Sequence, residues 1–94
     1  MIISFKCKET NFIFNGGTSR KFPVEISKTG KRKLDMVHSA FKEQDLSVPP
    51  ANRFEHLKGD LKDFCSIRIN DQYRIVFKFI NGNAEEVYIT DYHK

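Results

Sequence analysis

The sequence predicts an α+β fold, with two helices in its N-terminal half and an antiparallel sheet in its C-terminal half. From Val24 to about Lys42, apolar residues recur at the spacing of one helix face. Three later segments, CSIRIN, QYRIVFKF and EEVYIT, alternate apolar with polar residues and are separated by short turn-forming stretches. A chain of 94 residues can bury one hydrophobic core, so residues 1–94 are expected to form a single domain.

The N-terminal elements are a short strand and two helices. MIISFK alternates as the strand, and a short helix from Lys8 to Phe14 is expected to end at the glycine pair Gly16-Gly17. Pro23 suits the start of the long helix. The expected core positions of that helix are Ile26, Leu34, Val37, Ala40 and Phe41.

After the helices, two prolines in residues 47–52 predict a loop, and RFEHL predicts a short strand. The three alternating segments then form a meander. If both of its connections are three-residue loops, Ile69 lies opposite Tyr73 and Phe79 lies opposite Asn83. Two-residue turns would mix the two faces of the sheet, so the pattern favours the longer loops, with Gly82 at a positive φ.

This register separates an apolar face from a polar one. It places Arg68 opposite Arg74 and Arg74 opposite Tyr88. The face expected to pack against the helices carries Ile67, Ile69, Tyr73, Ile75, Val87 and Ile89. The other face is expected to present to solvent Ser66, Arg68, Arg74, Lys78, Tyr88 and Thr90, followed by Tyr92 if the alternation persists.

Positive charge is concentrated in residues 20–33. This segment holds six basic residues and one acidic residue, Glu25, so its net charge is +5. The whole chain has a net charge of +4, so the rest of the chain carries about −1. A localised basic surface suits RNA or an acidic protein surface, although a solvated helix face is the alternative. The six residues are Arg20, Lys21, Lys28, Lys31, Arg32 and Lys33.

Several classes of protein are disfavoured. Cys7 and Cys65 lie far apart, which argues for reduced buried thiols, and the cysteines and histidines show no close metal-ligand spacing, so no metal or cofactor is expected. No apolar run exceeds three residues, so neither a membrane span nor a signal peptide is predicted. The expected location is the cytoplasm.

The polar face and the C-terminus together suggest RNA cleavage. RNA supplies its own 2′-hydroxyl nucleophile, so the protein need only provide a proton acceptor, a proton donor and positive charge near the phosphate. His93 could transfer a proton, Asp91 could orient it, and Tyr92 could stack on a base or contact the sugar. Arg74 and Arg68 could bind the phosphate, although each of these residues considered singly fits an ordinary surface role.

The other two histidines are weaker candidates. His38 lies between core positions of the long helix and is expected to be a boundary residue. His56 could be a second acid or base, or an ordinary strand residue.

Three blocks, PPANRFEHLKGD, CSIRINDQYRIVFKF and the terminal ITDYH, resemble HigB-type toxins, the plasmid maintenance killer branch of the RelE superfamily. With the first strand and the long helix, the resemblance covers nearly the whole chain. It implies a compact RelE-like domain, with two N-terminal helices packed on a mainly antiparallel sheet of about four to five strands.

The resemblance also implies a function. It implies a type II toxin that cuts mRNA in the ribosomal A site by metal-independent 2′-hydroxyl attack. A HigA-like helix-turn-helix antitoxin would sequester it, with operator DNA contacted only through that antitoxin. Two alternatives stay open: a non-catalytic module that binds RNA or the ribosome, and an antitoxin-pairing subunit with weak or lost nuclease activity.

The site residues implied by the resemblance follow from its blocks. Some HigB-like members have a histidine where this chain has Glu55, and one position along a strand means the opposite face, so Glu55 is a better candidate than His56. The expected catalytic residues are His93, Tyr92, Asp91, Arg74 and Glu55. The expected RNA-binding residues are Arg68, Arg53, Lys58, Lys28, Lys31 and Arg32.

Overall fold

A computed structural model describes residues 1–91 of the chain, so the predictions for Tyr92 and His93 lie outside the described residues. The helices are α1 (Lys8–Phe14), α2 (Val24–Ser39) and α3 (Glu43–Leu46), and two 3-10 turns span Pro50–Asn52 and Gly59–Leu61. The strands are β1 (Glu55–His56), β2 (Cys65–Arg68), β3 (Tyr73–Ile80) and β4 (Asn83–Asp91).

The four strands form one antiparallel sheet in the order β1-β2-β3-β4. The N-terminal segment runs parallel to β4 and pairs with it through isolated bridges, Ile2 with Ala84 and Phe5 with Val87. The first predicted strand therefore exists as two bridges rather than as a continuous ladder. The predicted α+β class is confirmed, with the short helix α3 added to the two helices expected.

Helices α1 and α2 cover one face of the sheet. The apolar face predicted for the meander is buried, together with Phe77 and the helix residues Ile13, Ile26, Leu34 and Val37. Gly30 packs closely against the sheet, since a Cβ there would be 3.3 Å from Cδ1 of Ile89. This close packing explains why a residue with poor helix propensity occupies the middle of α2.

The C-terminal end of α2 was predicted three residues too late. The helix ends at Ser39, and Ala40 is extended. The carboxylate of Asp45 accepts hydrogen bonds from the backbone N–H groups of Phe41 (2.9 Å) and Lys42 (3.1 Å), which starts α3 instead of prolonging α2. The expected core role of Phe41 is wrong, because this side chain is 85% exposed.

The β2–β3 hairpin has the expected register, with Arg68 opposite Arg74. The β3–β4 hairpin does not, because its turn contains only Asn81 and Gly82, both at positive φ (52° and 81°), and β4 then contains a bulge. Arg74 consequently pairs with Thr90 and not with Tyr88. The turn is one residue shorter than predicted and the bulge adds one residue to β4. The residues of β4 therefore keep the predicted assignment to the apolar and polar faces of the sheet.

Candidate active site

An open cleft of about 410 Å³ lies on the sheet face opposite the helices, between the segment that leads into β1 and the β2–β3 turn. We call it the arginine cleft. Its lining contains four of the predicted site residues, Arg53, Glu55, Arg68 and Arg74, together with Phe54, Asn70 and Asp71. Residues far apart in sequence are thus gathered at one place.

Arg74 lies at the base of the arginine cleft. Its Nε donates a hydrogen bond to Oγ of Ser66 (2.8 Å), and its Nη2 donates one to the backbone oxygen of Arg53 (2.7 Å). The residue is only 7% exposed, so the expectation that Arg74 and Ser66 face solvent is wrong. The segment before β1 covers them, and the guanidinium is fixed by hydrogen bonds at two of its nitrogens.

The backbone of Arg53 turns sharply to make this contact. Arg53 follows the 3-10 turn Pro50–Asn52 and has φ 45° and ψ 54°, in the left-handed region. Its carbonyl oxygen therefore reaches Arg74 while its side chain stays exposed at the cleft wall. Arg53 contributes to the site twice, by orienting Arg74 and by adding a second guanidinium to the cleft.

Glu55 and His56 point to different places, as their adjacent positions on a strand require. Glu55 pairs with Ser66 in the ladder, and its Oε1 lies 3.6 Å from Nη2 of Arg74. The Nε2 of His56 lies 2.9 Å from Oε1 of Glu43. Of this pair, Glu55 lines the arginine cleft beside Arg74 and His56 does not.

Arg68 occupies the wall of the cleft formed by the β2–β3 turn. Its guanidinium forms an ion pair with Asp71, three residues along the chain. The side chain of Asn70 holds the turn by accepting hydrogen bonds from the backbone N–H groups of Gln72 (2.9 Å) and Tyr73 (2.8 Å). Arg68 is thus a cleft cation that already has an internal counter-ion.

Asp91 ends β4 beside the same turn. It lies opposite Tyr73, and its Oδ2 accepts a hydrogen bond from Nε2 of Gln72 (3.0 Å). The register places Asp91 on the sheet face of Tyr73, one residue pair along from Arg74 and Thr90. The carboxylate of Asp91 therefore lies on the opposite sheet face from Arg74 and does not line the arginine cleft, although the end of β4 is hydrogen-bonded to the β2–β3 turn.

The remaining predicted RNA-binding residues lie outside the cleft. Lys28 and Arg32 are exposed on α2, and Lys58 is exposed after β1. Lys31 forms an ion pair with Asp35 (2.7 Å), and its Nζ lies 5.1 Å from the ring centroid of Phe14. These residues can only contact an RNA that extends beyond the cleft.

Lys33 departs from the predicted basic surface. It is 5% exposed, and its Nζ donates a hydrogen bond to Oδ1 of Asn52. Burial lowers the pKa of Lys33, and the nearby positive charges of Arg32 and Arg68 lower it further. Five of the six basic residues in segment 20–33 can therefore serve as surface cations, and the sixth links α2 to the Pro50–Asn52 turn.

Two buried residues behind the cleft lining, Ser66 and Asn52, were not predicted as site residues. A signal for Ser66 existed, because the alternation placed its hydroxyl on the face of Arg74. For Asn52 the sequence contains no signal of a role in the site, apart from its position after two prolines. His38 is a boundary residue as predicted, since its Nδ1 accepts a hydrogen bond from the backbone N–H of Ile2 (3.1 Å).

A protein-family model described as the RelE-like toxin HigB of a type II toxin-antitoxin system matches residues 4–93. The chain belongs to the HigB-like toxin family. It is 43% identical to toxin HigB-1 of Vibrio cholerae serotype O1 over 95 residues, which cover all of this chain and 99% of that protein. It is also 31% identical to endoribonuclease HigB of Proteus vulgaris over 93 residues, 99% of this chain and all of that one.

Family membership confirms the resemblance of the three sequence blocks to HigB-type toxins. As a toxin of a type II toxin-antitoxin system, this HigB-like protein has an antitoxin as its partner. None of the helices within residues 1–91 is long and apolar enough to cross a membrane.

Proposed function

We propose that this HigB-like toxin is a ribosome-dependent endoribonuclease that cuts mRNA in the A site through metal-independent attack of the 2′-hydroxyl. The observation that carries the proposal is the fixed guanidinium of Arg74 at the base of the arginine cleft, 3.6 Å from the carboxylate of Glu55. The name of the Proteus vulgaris relative, an endoribonuclease, supports the same reaction class.

The reaction needs a base next to a phosphate-binding cation. A carboxylate can act as a general base, so Glu55 would accept the proton of the 2′-hydroxyl. The 2′-oxygen then forms a bond to phosphorus while the bond to the 5′-oxygen breaks, leaving a 2′,3′-cyclic phosphate. Arg74 stabilises the negative charge that builds up on the phosphate oxygens, and its hydrogen bonds to Ser66 and Arg53 hold it in place beforehand.

The leaving 5′-oxygen requires a proton donor, a role proposed for His93. This residue follows Asp91 by two positions in the sequence. Asp91 ends β4 beside the turn that lines the cleft. Asp91 would orient the histidine, and Tyr92 would stack on a base or contact the sugar.

Binding would extend from the cleft onto the ribosome. Arg53 and Arg68 line the cleft and would contact phosphates of the mRNA. The exposed cations of α2 and of the segment after β1 would contact ribosomal RNA, which makes binding fall steeply with salt. They are Lys28, Lys31, Arg32 and Lys58.

The proposed partners follow from this activity and from the family. The antitoxin would be a HigA-like helix-turn-helix protein that sequesters the toxin and alone contacts operator DNA. The ribosome and its mRNA would be the targets, which places the toxin in the cytoplasm.

The test is a cell-free translation reaction with purified protein, with and without ribosomes, in which new 5′ ends of mRNA are mapped. Codon-phased cuts that need ribosomes, leave a 2′,3′-cyclic phosphate and disappear in His93→Ala would support the proposal. An mRNA with a 2′-deoxy nucleotide at the cut position should resist cleavage. Translational arrest without cuts, unchanged in His93→Ala, would favour an RNA-binding module. Absence of both would favour a subunit that has lost the activity.

A further inference from the structure

We propose that Lys33 and Asn52 are positioning residues that hold Arg74 in its active orientation through the backbone of Arg53. The inference rests on the proposed role of Arg74 in RNA cleavage. It concerns a link from helix α2 to the arginine cleft, and neither Lys33 nor Asn52 is among the residues that line the cleft.

The link begins with a buried lysine. Lysine side chains are almost never fully buried unless their charge is paired or hydrogen-bonded. Lys33 is nevertheless 5% exposed, although it stands in a helix whose neighbouring cations Lys28 and Arg32 face solvent. Its Nζ donates to Oδ1 of Asn52, which makes this contact the evident reason for its burial.

Asn52 connects Lys33 to the turn that precedes β1. The residue is fully buried, and its Nδ2 donates hydrogen bonds to the backbone oxygens of Leu46 (3.1 Å) and Val48 (3.4 Å). Both polar atoms of the Asn52 amide are therefore hydrogen-bonded. Its nitrogen closes the segment 46–52, and its oxygen attaches that segment to α2. A side chain with this many buried hydrogen bonds has one position.

The carbonyl that contacts Arg74 comes directly after Asn52. The backbone N–H groups of Asn52 and Arg53 donate to the oxygens of Pro49 (2.9 Å) and Pro50 (3.0 Å), so the turn sets the direction of the peptide that follows. Arg53 then adopts its left-handed conformation, and its oxygen accepts a hydrogen bond from Nη2 of Arg74 at 2.7 Å.

The second hydrogen bond matters because the first, from Nε to Ser66, by itself holds only one end of the guanidinium. A bond at Nη2 fixes the plane of the group as well as its position. Misplacement of a catalytic group by about 1 Å can reduce a rate by up to about 100-fold. The anchoring of Asn52 by Lys33 therefore affects the reaction without either side chain touching RNA.

Two alternative roles for Lys33 lead to different results. If Lys33 only stabilises the fold, its loss should lower the melting temperature and leave the rate of the folded protein unchanged. If Lys33 acts as a positive charge that attracts RNA, its loss should raise the concentration needed for half-maximal cleavage. A positioning role should lower the rate at saturation.

The experiment compares Lys33→Met with the wild type and with Lys8→Met, which removes a charge from an exposed lysine of α1. Single-turnover cleavage is measured on programmed ribosomes over a range of toxin concentrations, and the folded fraction is measured by circular dichroism. Lys33→Met should lower the saturating rate about 10-fold or more while changing the half-saturating concentration less than about 2-fold. Lys8→Met should match the wild type, and Lys33→Arg, which keeps a donor for Asn52, should recover most of the rate.

A second readout does not depend on cleavage. In ¹⁵N-labelled protein, the Nε–H signal of Arg74 and the rotation of its guanidinium report directly on the bonds to Ser66 and Arg53. Rotation should become faster in Lys33→Met and stay unchanged in Lys8→Met. If Lys33→Met does not fold, Asn52→Ser removes the same bond with a smaller polar side chain.

The outcomes separate this inference from the proposed function. A folded Lys33→Met protein with the wild-type saturating rate and wild-type guanidinium rotation would overturn the positioning role, as would a change confined to the half-saturating concentration. If the wild type cleaves no RNA, the proposed function fails, and the rotation of the Arg74 guanidinium still decides whether Lys33 holds it.

Discussion

Ser66 on β2 accepts a hydrogen bond from Nε of Arg74 on β3, with 2.8 Å between the two atoms. Both residues are buried, on the sheet face that does not contact the helices. The contact explains how an arginine can remain in one orientation at the base of a cleft that is open to solvent. It also explains why a serine occupies a strand position that is fully buried.

The first prediction concerns this serine. Ser66→Ala leaves a buried guanidinium N–H without its acceptor, which should reduce the free energy of unfolding by about 1–3 kcal/mol. The cleavage rate at saturation should fall about 10-fold, because Arg74 loses one of the bonds that fix it.

Urea unfolding and single-turnover cleavage measure the two effects. Ser39→Ala, at the exposed end of α2, is the matched control and should change neither. An unchanged cleavage rate in Ser66→Ala would contradict the role of this bond.

The second prediction concerns acid stability at the start of α3. The pKa of Asp45 is lowered by the hydrogen bonds that its carboxylate accepts from the backbone of Phe41 and Lys42. A carboxyl group whose folded pKa lies below its unfolded value stabilises the fold above the unfolded pKa, and this contribution disappears as the pH falls through the folded pKa. Asp45→Asn should therefore be less stable than the wild type at pH 6, and the difference should shrink toward pH 2.

Urea unfolding at pH values between 2 and 6 tests this expectation. Asp60→Asn removes another exposed carboxylate and controls for the change in net charge. A stability difference between Asp45→Asn and the wild type that stays constant over the whole range would show that the carboxylate charge contributes nothing at this helix start.

Elements whose ends are set by neighbouring residues were predicted well, and elements whose ends depend on residues farther along the chain were not. The bounds of α1 and the start of α2 follow from nearby glycines and a proline, and both were predicted correctly. The end of α2 depends on a carboxylate five residues beyond Ala40, which competes with helix propagation. In the β3–β4 hairpin, a two-residue turn and a bulge together give the same alternation as the predicted longer loop, so the side-chain pattern could not distinguish them.

The arginine cleft shows the same limit. Glu55 and Arg74 were identified from strand alternation and from the family resemblance, and the cleft brings them together. The burial of Arg74 was not predictable, because the segment that covers it contributes a backbone carbonyl, and a backbone group leaves no signature in side-chain chemistry. The buried link from Lys33 to Asn52 was missed for a related reason, since a lysine in a basic run is ordinarily taken as exposed.

The third prediction uses the two cysteines, which are both free thiols. Burial raises the pKa of Cys65 to about 12, so at pH 8 only about one molecule in 10,000 carries the reactive thiolate there. For Cys7, which is half-buried, partial burial acts to raise the pKa. Hydrogen bonds from Thr10 and Glu9 and the positive charge of Lys21 together outweigh this effect, so the net pKa is lowered. Iodoacetamide at pH 8 should therefore modify Cys7 first and reach Cys65 only on unfolding.

Intact-mass and peptide mass spectrometry over time measure this order directly. Cys7→Ser should remain unmodified under native conditions and gain one adduct in urea, while Cys65→Ser should react as fast as the wild type. Rapid modification of Cys65 in native Cys7→Ser would contradict the tight packing of β2 against β3, where the thiol of Cys65 donates to the backbone oxygen of Phe77.

The fourth prediction distinguishes two adjacent residues that are both candidate bases from the sequence. Glu55 faces the arginine cleft, whereas His56 contacts Glu43 outside it. Glu55→Gln keeps the size of the side chain but removes the proton acceptor, so the saturating cleavage rate should fall by about 100-fold or more. His56→Gln should cleave within about 2-fold of the wild type, because this ring lies outside the cleft.

Both variants keep a side chain that can form hydrogen bonds, so they provide matched controls for each other in the same assay on programmed ribosomes. Loss of cleavage in His56→Gln together with full activity in Glu55→Gln would reverse the assignment, and it would mean that the base reaches the RNA from the Glu43 side of β1.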